Sequence, residues 1–203
     1  AATTPVAKHG RLSVKGADLV DSKENKFQLR GISTHGINWD VGSPYVNKKA
    51  FKTLRDDWGV NAIRLAMYTE EYNGYCSGGS QAKLRKLVDK GVGYATDLGM
   101  YAIIDWHILS DGNPNKNKSQ AKKFFTTMAK KYKNNKNVIY EICNEPNGCS
   151  WKEIKSYATD IIKTIRKYDK KAVIIVGTPT WSQLGTDGTS NEVADSPIKG
   201  YKN

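Results

Sequence analysis

Nowhere in this sequence does an apolar run approach the roughly 20 residues of a membrane span, so no transmembrane helix is expected. No signal peptide is visible, and the small polar opening Ala1-Ala2-Thr3-Thr4-Pro5 suits a processed N-terminus or the end of a linker. Cysteine is scarce, with 3 in 203 residues. Cys76, Cys143 and Cys149 fit neither a disulfide framework nor a zinc-ligand spacing. Cys143 falls in a predicted strand and reads as an inert core thiol, while pairing of Cys76 with Cys149 across two loops is left open. No metal centre and no cofactor is expected. Acid is scarce as well: 20 Asp and Glu stand against 32 Lys and Arg, a formal net charge of +12. Such an excess invites a polyanionic partner. The lysines are spread over several predicted helices, however (Lys48, Lys49 and Lys52; Lys122, Lys123, Lys130 and Lys131; Lys163, Lys167, Lys170 and Lys171). They form no single stripe interleaved with aromatics and read as solvated helix faces, so neither nucleic acid nor membrane is expected as a partner.

What is present is alternation. Apolar residues at 38% and charged residues at 26% place the chain among globular domains rather than disordered segments. A hairpin over residues 11–21 is followed by five β-rich apolar runs at 27–32, 60–65, 101–105, 138–142 and 173–176. Helical patterns fill the gaps at 48–58, 81–98, 119–134 and 151–168. Ser150-Trp151-Lys152-Glu153 is a capping box, and Gly59 and Gly99 stand where helices should stop. Strict βα alternation predicts a parallel sheet with helices outside it. A doubly wound sheet would carry a glycine-rich phosphate loop after its first strand, and Gly31-Ile32-Ser33-Thr34-His35-Gly36 is not one. That loop offers His35, Asn38 and Trp39, which suit a sugar better than a pyrophosphate. The expectation is a single domain over residues 1–203, short of the about 250 residues that a complete (β/α)8 barrel usually needs.

The chemistry-bearing residues gather at the C-terminal ends of the strands: Thr34-His35-Gly36, Arg64, Asp105-Trp106-His107, Asn144-Glu145-Pro146 and Thr180-Trp181-Ser182-Gln183. In a parallel barrel that edge is where active sites form. Strand alternation puts Glu141, Cys143 and Glu145 on one inward face, with Glu145 at the rim. A carboxyl in a partly desolvated rim site has its acid form favoured, which suits a general acid. Arg64 also reads as a structural ion pair inside a barrel, His107 as a buried neutral histidine, and Trp39 and Tyr68 as ordinary packing.

Asn144-Glu145-Pro146 after an apolar strand, taken with Arg64, Asp105-Trp106-His107 and Trp181-Ser182-Gln183, closely resembles the bacterial endoglucanases of glycoside hydrolase family 5. The resemblance runs from the hairpin to Gly200-Tyr201 and implies a (β/α)8 barrel, of which this chain supplies the hairpin and about the first five βα units. It implies a secreted, extracellular enzyme that cleaves internal β-1,4 bonds of cellulose or related β-glucans with retention. Glu145 then matches the acid/base and Asn144 the residue that bonds the sugar 2-hydroxyl. Arg64 matches the arginine that keeps the nucleophile ionised, and His107 the histidine at the cleavage point. His35, Trp39 and Tyr68 resemble a platform on the glycone side, and Trp181 and Gln183 resemble the leaving-group side.

One part of the pattern breaks. Retention needs a second carboxyl about 5 to 5.5 Å from the first. Glu141 lies about 13 Å down the same strand, at about 3.3 Å per residue, and Asp105 should sit deeper in the barrel. The family's Thr-Glu-Trp-Gly-like nucleophile segment does not occur in the sequence. The expectation is therefore a domain incomplete at its C-terminus, lacking strands six to eight and inactive on its own. Its first and fifth strands would have unpaired edges, and its partner would be its own C-terminal half as a separate or nicked chain. A catalytically inactive half-barrel that binds β-glucan is the competing expectation.

Overall fold

The computed structural model describes residues 3–187 and 189–203 of the chain. After a short helix α1 (Pro5–His9), strands β1 (Ser13–Lys15) and β2 (Asp18–Val20) form the expected antiparallel hairpin. Five parallel strands follow in one sheet: β3 (Gly31–Ser33), β4 (Ala62–Tyr68), β5 (Tyr101–His107), β6 (Val138–Glu141) and β7 (Ile174–Ile175). Their spatial order is their chain order. Between them run α2 (Lys48–Trp58), α3 (Gln81–Asp97), α4 (Lys118–Tyr132) and α5 (Trp151–Arg166).

The helices begin and end where local chemistry dictates. Asn47 accepts from the Ala50 amide at 3.0 Å and Ser80 from the Lys83 amide at 3.3 Å, each satisfying an orphan donor of the first turn. The capping box of α5 is complete: the Glu153 amide donates to Ser150 Oγ at 3.1 Å and the Ser150 amide to Glu153 Oε1 at 3.2 Å. Gly59 ends α2 in the left-handed region at φ +68°, where a Cβ would be strained.

Strand alternation divides the interior in two. Ile63, Leu65, Met67, Ala102, Ile104, Trp106, Val138, Tyr140 and Ile142 join the large core between sheet and helices. On the opposite face the character changes along the strands. At their N-terminal ends Ala62, Tyr101, Ile139 and Val173 form an apolar floor with Val6, Leu12 and Phe27. Farther along stand Arg64, Asp105 and Glu141, and at the C-terminal ends Tyr68 and His107. Asp105 and Glu141 are register partners, as are Tyr68 and His107, so these side chains are neighbours by construction.

Several strand boundaries differ from the sequence expectation. The first strand was expected at 27–32, but β3 starts at Gly31, because the Phe27 amide donates to Leu19 O and Phe27 and Leu29 pack on the apolar floor. Strands β4 and β5 run on past 65 and 105, so Tyr68 and His107 are fixed in the sheet rather than in loops. The outer edge of β7 is partly covered, against expectation: the Ile174 amide donates to Asn203 O at 2.7 Å and the Asn203 side chain to Lys171 O at 2.9 Å. Beside β3, an apolar cavity of about 660 Å³ opens against α2, lined by Ile32, Val41, Tyr45 and Leu54 among others.

Candidate active site

Arg64, on the inward face of β4, is the hub. Its Nε and Nη2 clasp Glu141 through both carboxylate oxygens at 2.8 and 2.7 Å. Nη2 also lies 3.0 Å from Asn144 Oδ1 and 3.1 Å from Asp105 Oδ2, and Nη1 donates to Ser33 Oγ at 3.3 Å. Burial works against the guanidinium charge, but the bonds to Glu141 and the charges of Asp105 and Glu141 outweigh it and raise its pKa. Arg64 is thus matched by anions of this chain, Glu141 and Asp105. The alternative reading, an ion pair inside the barrel, is what the structure shows, because Glu141 is an inward residue on the same tier.

Asp105 is fully buried, with Oδ2 2.5 Å from His107 Nδ1. Desolvation pushes its carboxyl up to about 7, against the opposing pull of Arg64 and a hydrogen bond with Glu141. Desolvation also raises Glu141, with the hydrogen bond from Arg64 opposing. His107 is driven the other way, to about 4, by burial and by the Arg64 charge. One proton therefore serves the Asp105–His107 contact, and Nε2 of His107 is left for a second partner. Asn144 is fixed from both ends of its amide, through Arg64 and through Nδ2 donating to Ile108 O at 2.9 Å.

From His107 an aromatic file runs outward. Tyr68 lies 4.0 Å from it between ring centroids, Trp39 lies 4.5 Å from Tyr68, and His35 lies 5.4 Å from Trp39. Trp39 is held by its Nε1 donating to Tyr72 O at 2.6 Å. Asn38 serves this file rather than facing a ligand: its side chain accepts from the Tyr68 amide at 2.8 Å and donates to Tyr68 O at 3.1 Å. Rings with one face against protein and one toward solvent suit pyranoses, whose C–H faces are apolar.

Glu145 requires two corrections. Strand β6 stops at Glu141, and alternation does not continue: Cys143 packs on the helix side of the sheet while Asn144 joins Arg64. Glu145 then turns through φ +30° and is exposed, not partly desolvated. It still stands at the rim, close enough for its charge to oppose in small part the fall of the His107 pKa and to add slightly to the rise of Tyr68, which burial chiefly causes. Trp181, 56% exposed, sits on the loop after β7, and its amide donates to Pro146 O at 3.0 Å. Gln183 is exposed, and its side chain turns back onto Thr180 O. The three cysteines are free thiols, so Cys76 and Cys149 do not pair. The structure thus joins Arg64 to Asn144 directly and to His107 through Asp105, stacks Tyr68 on His107, carries the file on to Trp39 and His35, and sets Glu145 and Trp181 on adjoining loops. The sequence reading missed Glu141 as the partner of Arg64, although inward alternation on β6 was the signal for it.

The sequence profile of the cellulase family (glycosyl hydrolase family 5) matches residues 20–203. Endoglucanase A of Butyrivibrio fibrisolvens is 50% identical over 193 residues, which cover 94% of this chain and 43% of that protein. An endoglucanase of Clostridium saccharobutylicum is 51% identical over 207 residues, covering 100% of this chain and 43% of that one. The chain therefore spans less than half the length of these relatives. Among solved structures, cellulase Cel5C_n superimposes with a TM-score of 0.92 at 38% identity, over 100% of this chain and 62% of that one. The catalytic domain of Thermobifida fusca endoglucanase Cel5A, crystallised with cellotetraose, does so with a TM-score of 0.87 at 41% identity, over 98% and 64%.

Proposed function

This chain belongs to glycosyl hydrolase family 5, its five strands forming part of the family's (β/α)8 barrel, and from that we infer that the whole protein is a retaining endo-β-1,4-glucanase with Glu145 as acid/base. The observation that carries the reading is the rim itself. An exposed carboxyl, without a hydrogen-bond partner among the described residues, stands at the rim that carries the aromatic file, above a buried cluster whose carboxylates are already engaged.

In the reaction, Glu145 gives its proton to the glycosidic oxygen as the bond to the anomeric carbon breaks, and a second carboxylate captures that carbon on the opposite ring face. Glu145 then takes a proton from water, which displaces the carboxylate and restores both groups. The second carboxylate is not Glu141, clasped by Arg64, nor Asp105, buried against His107. We place it in sequence beyond these 203 residues, contiguous or on a companion chain. Asn144 bonds the sugar 2-hydroxyl through the Nδ2 hydrogen that Ile108 leaves free. Arg64, balanced between Glu141 and Asp105, lends the remainder of its field to the incoming nucleophile. His107 contacts the sugar at the cleavage point through Nε2. His35, Trp39 and Tyr68 carry the glycone, and Trp181 with Gln183 the leaving group. Cellulose is too large to enter a cell, so the enzyme is secreted.

Glu145→Gln in the whole protein tests the assignment. Turnover of cellulose should fall about 10²- to 10⁴-fold, as for loss of a general acid. The first step on an aryl cellobioside with a very good leaving group should lose far less, since it needs little protonation. Near-wild-type turnover of cellulose by the variant would refute the role.

A further inference from the structure

We propose that Gly177 is a positioning residue for the Glu145 carboxyl, the point at which the loop after β7 clamps the backbone of Asn144, Glu145 and Pro146. The inference rests on Glu145 being the acid/base.

The sheet does not hold Glu145. Strand β6 ends four residues earlier at Glu141, and the exposed side chain lies beyond the ladder at φ +30°, a region that favours glycine. What fixes it is contact from both sides. On one flank the Asn144 amide donates to Trp106 O at 3.2 Å and the Asn147 amide to Gly112 O at 3.0 Å. On the other, the Gly177 amide donates to Cys143 O at 3.1 Å and the Trp181 amide to Pro146 O at 3.0 Å. Gly177 allows the closest of these approaches. A Cβ there would overlap Cys143 O, and would lie 2.7 Å from Pro146 Cδ and 3.2 Å from the Glu145 amide nitrogen. Two of those three neighbours are backbone atoms, which cannot swing aside as a side-chain tip can.

The clamp is itself set firmly. Thr180, Trp181 and Ser182 all adopt positive φ, at 54°, 54° and 66°, without a glycine among them. The turn is closed by the Ser182 amide on Thr178 O and the Gln183 amide on Pro179 O. Strained conformations of this kind persist only where surrounding contacts over-determine them. Trp181 and Glu145 consequently share one frame, so the seat of a leaving-group sugar and the position of the proton are set together. A general acid works across a single hydrogen bond, so even a small displacement of Glu145 separates donor from acceptor.

The test compares wild type, Glu145→Gln, Gly177→Ala and Pro146→Gly in the whole protein, on cellotetraose and on 2,4-dinitrophenyl cellobioside. Gly177→Ala should lower kcat on cellotetraose about 100-fold, the scale of a misplaced catalytic group, with KM little changed. Its burst of dinitrophenolate should stay within about tenfold of wild type, because that leaving group needs no proton. Pro146→Gly removes the ring seated against Gly177 and adds no heavy atom, so it should give the same split and decides the question if Gly177→Ala does not fold. Equal loss on both substrates, or a change confined to KM, overturns the positioning role while Glu145→Gln still shows the split. Absence of the split in Glu145→Gln overturns the acid assignment and the inference with it.

Discussion

Asp105 and His107 hold one proton between them, and their pKa values move in opposite directions. Asp105 rises from 3.8 to about 7. Its contribution to stability is complete below its unfolded value and is lost as pH rises through about 7. His107 falls from 6.5 to about 4, so its contribution is complete above 6.5 and is lost as pH falls through about 4. Over the window from about 4 to 7 the two slopes oppose each other. Asp105→Asn removes only the first. The variant's stability should therefore rise more steeply with pH across that window than the wild type's, as urea unfolding at successive pH values would show. An unchanged slope would mean that Asp105 ionises in the fold much as it does in the unfolded chain. The sequence showed that Asp105 lies two residues below His107 and on the same face. It did not show that Glu141 would take Nε and Nη2 of Arg64, because that choice depends on the β4–β5–β6 register. Nor did it show the exposure of Glu145, which follows from a turn at positive φ that carries no glycine to announce it.

At the scale of elements, the helices were legible because their ends carry their own chemistry. The capping box of α5 satisfies donors reciprocally, and Glu153 Oε2 also accepts from Asn113 at 2.6 Å, tying α5 to the loop after β5. Ser150→Ala should cost about 1 kcal/mol, read as a lower denaturant midpoint with unchanged slope; no shift would mean that water replaces the cap without penalty. Strands were legible in number and spacing, since apolar alternation is a local signal. Their ends were less so. Phe27 and Leu29 are equally apolar beside β2 or beside β4, and only the apolar floor decides between the two. The turn from Thr180 to Ser182 was not legible at all. Three residues that ordinarily avoid the left-handed region adopt it where Pro146 O receives the Trp181 amide, Thr178 O that of Ser182, and Pro179 O that of the next residue, Gln183.

For the molecule as a whole, the five-strand arc brings one set of strand ends together and sets the exposed Glu145 carboxyl at the rim. Retention needs a second carboxyl about 5 to 5.5 Å from the acid, and the inward carboxylates Asp105 and Glu141 are bound to Arg64. Residues 1–203 expressed alone should therefore not hydrolyse cellotetraose, as sugar analysis of a long incubation would reveal. Turnover at the rate of the whole protein would make one of those two carboxylates the nucleophile.

The order of the strands in the sheet is also the order in which they are made. Each unit of roughly 35 residues, a typical βα length, pairs only with the unit just before it. A ribosome adding about 5 to 20 residues per second takes seconds to deliver a unit, whereas a helix forms in about a microsecond. The floor must wait, since Val6 and Leu12 cluster with Tyr101, Ile139 and Val173 from far downstream, and so must Arg64, whose partners Glu141 and Asn144 lie about two units on. The rest of the sheet can assemble during synthesis, each strand emerging beside a partner already in place.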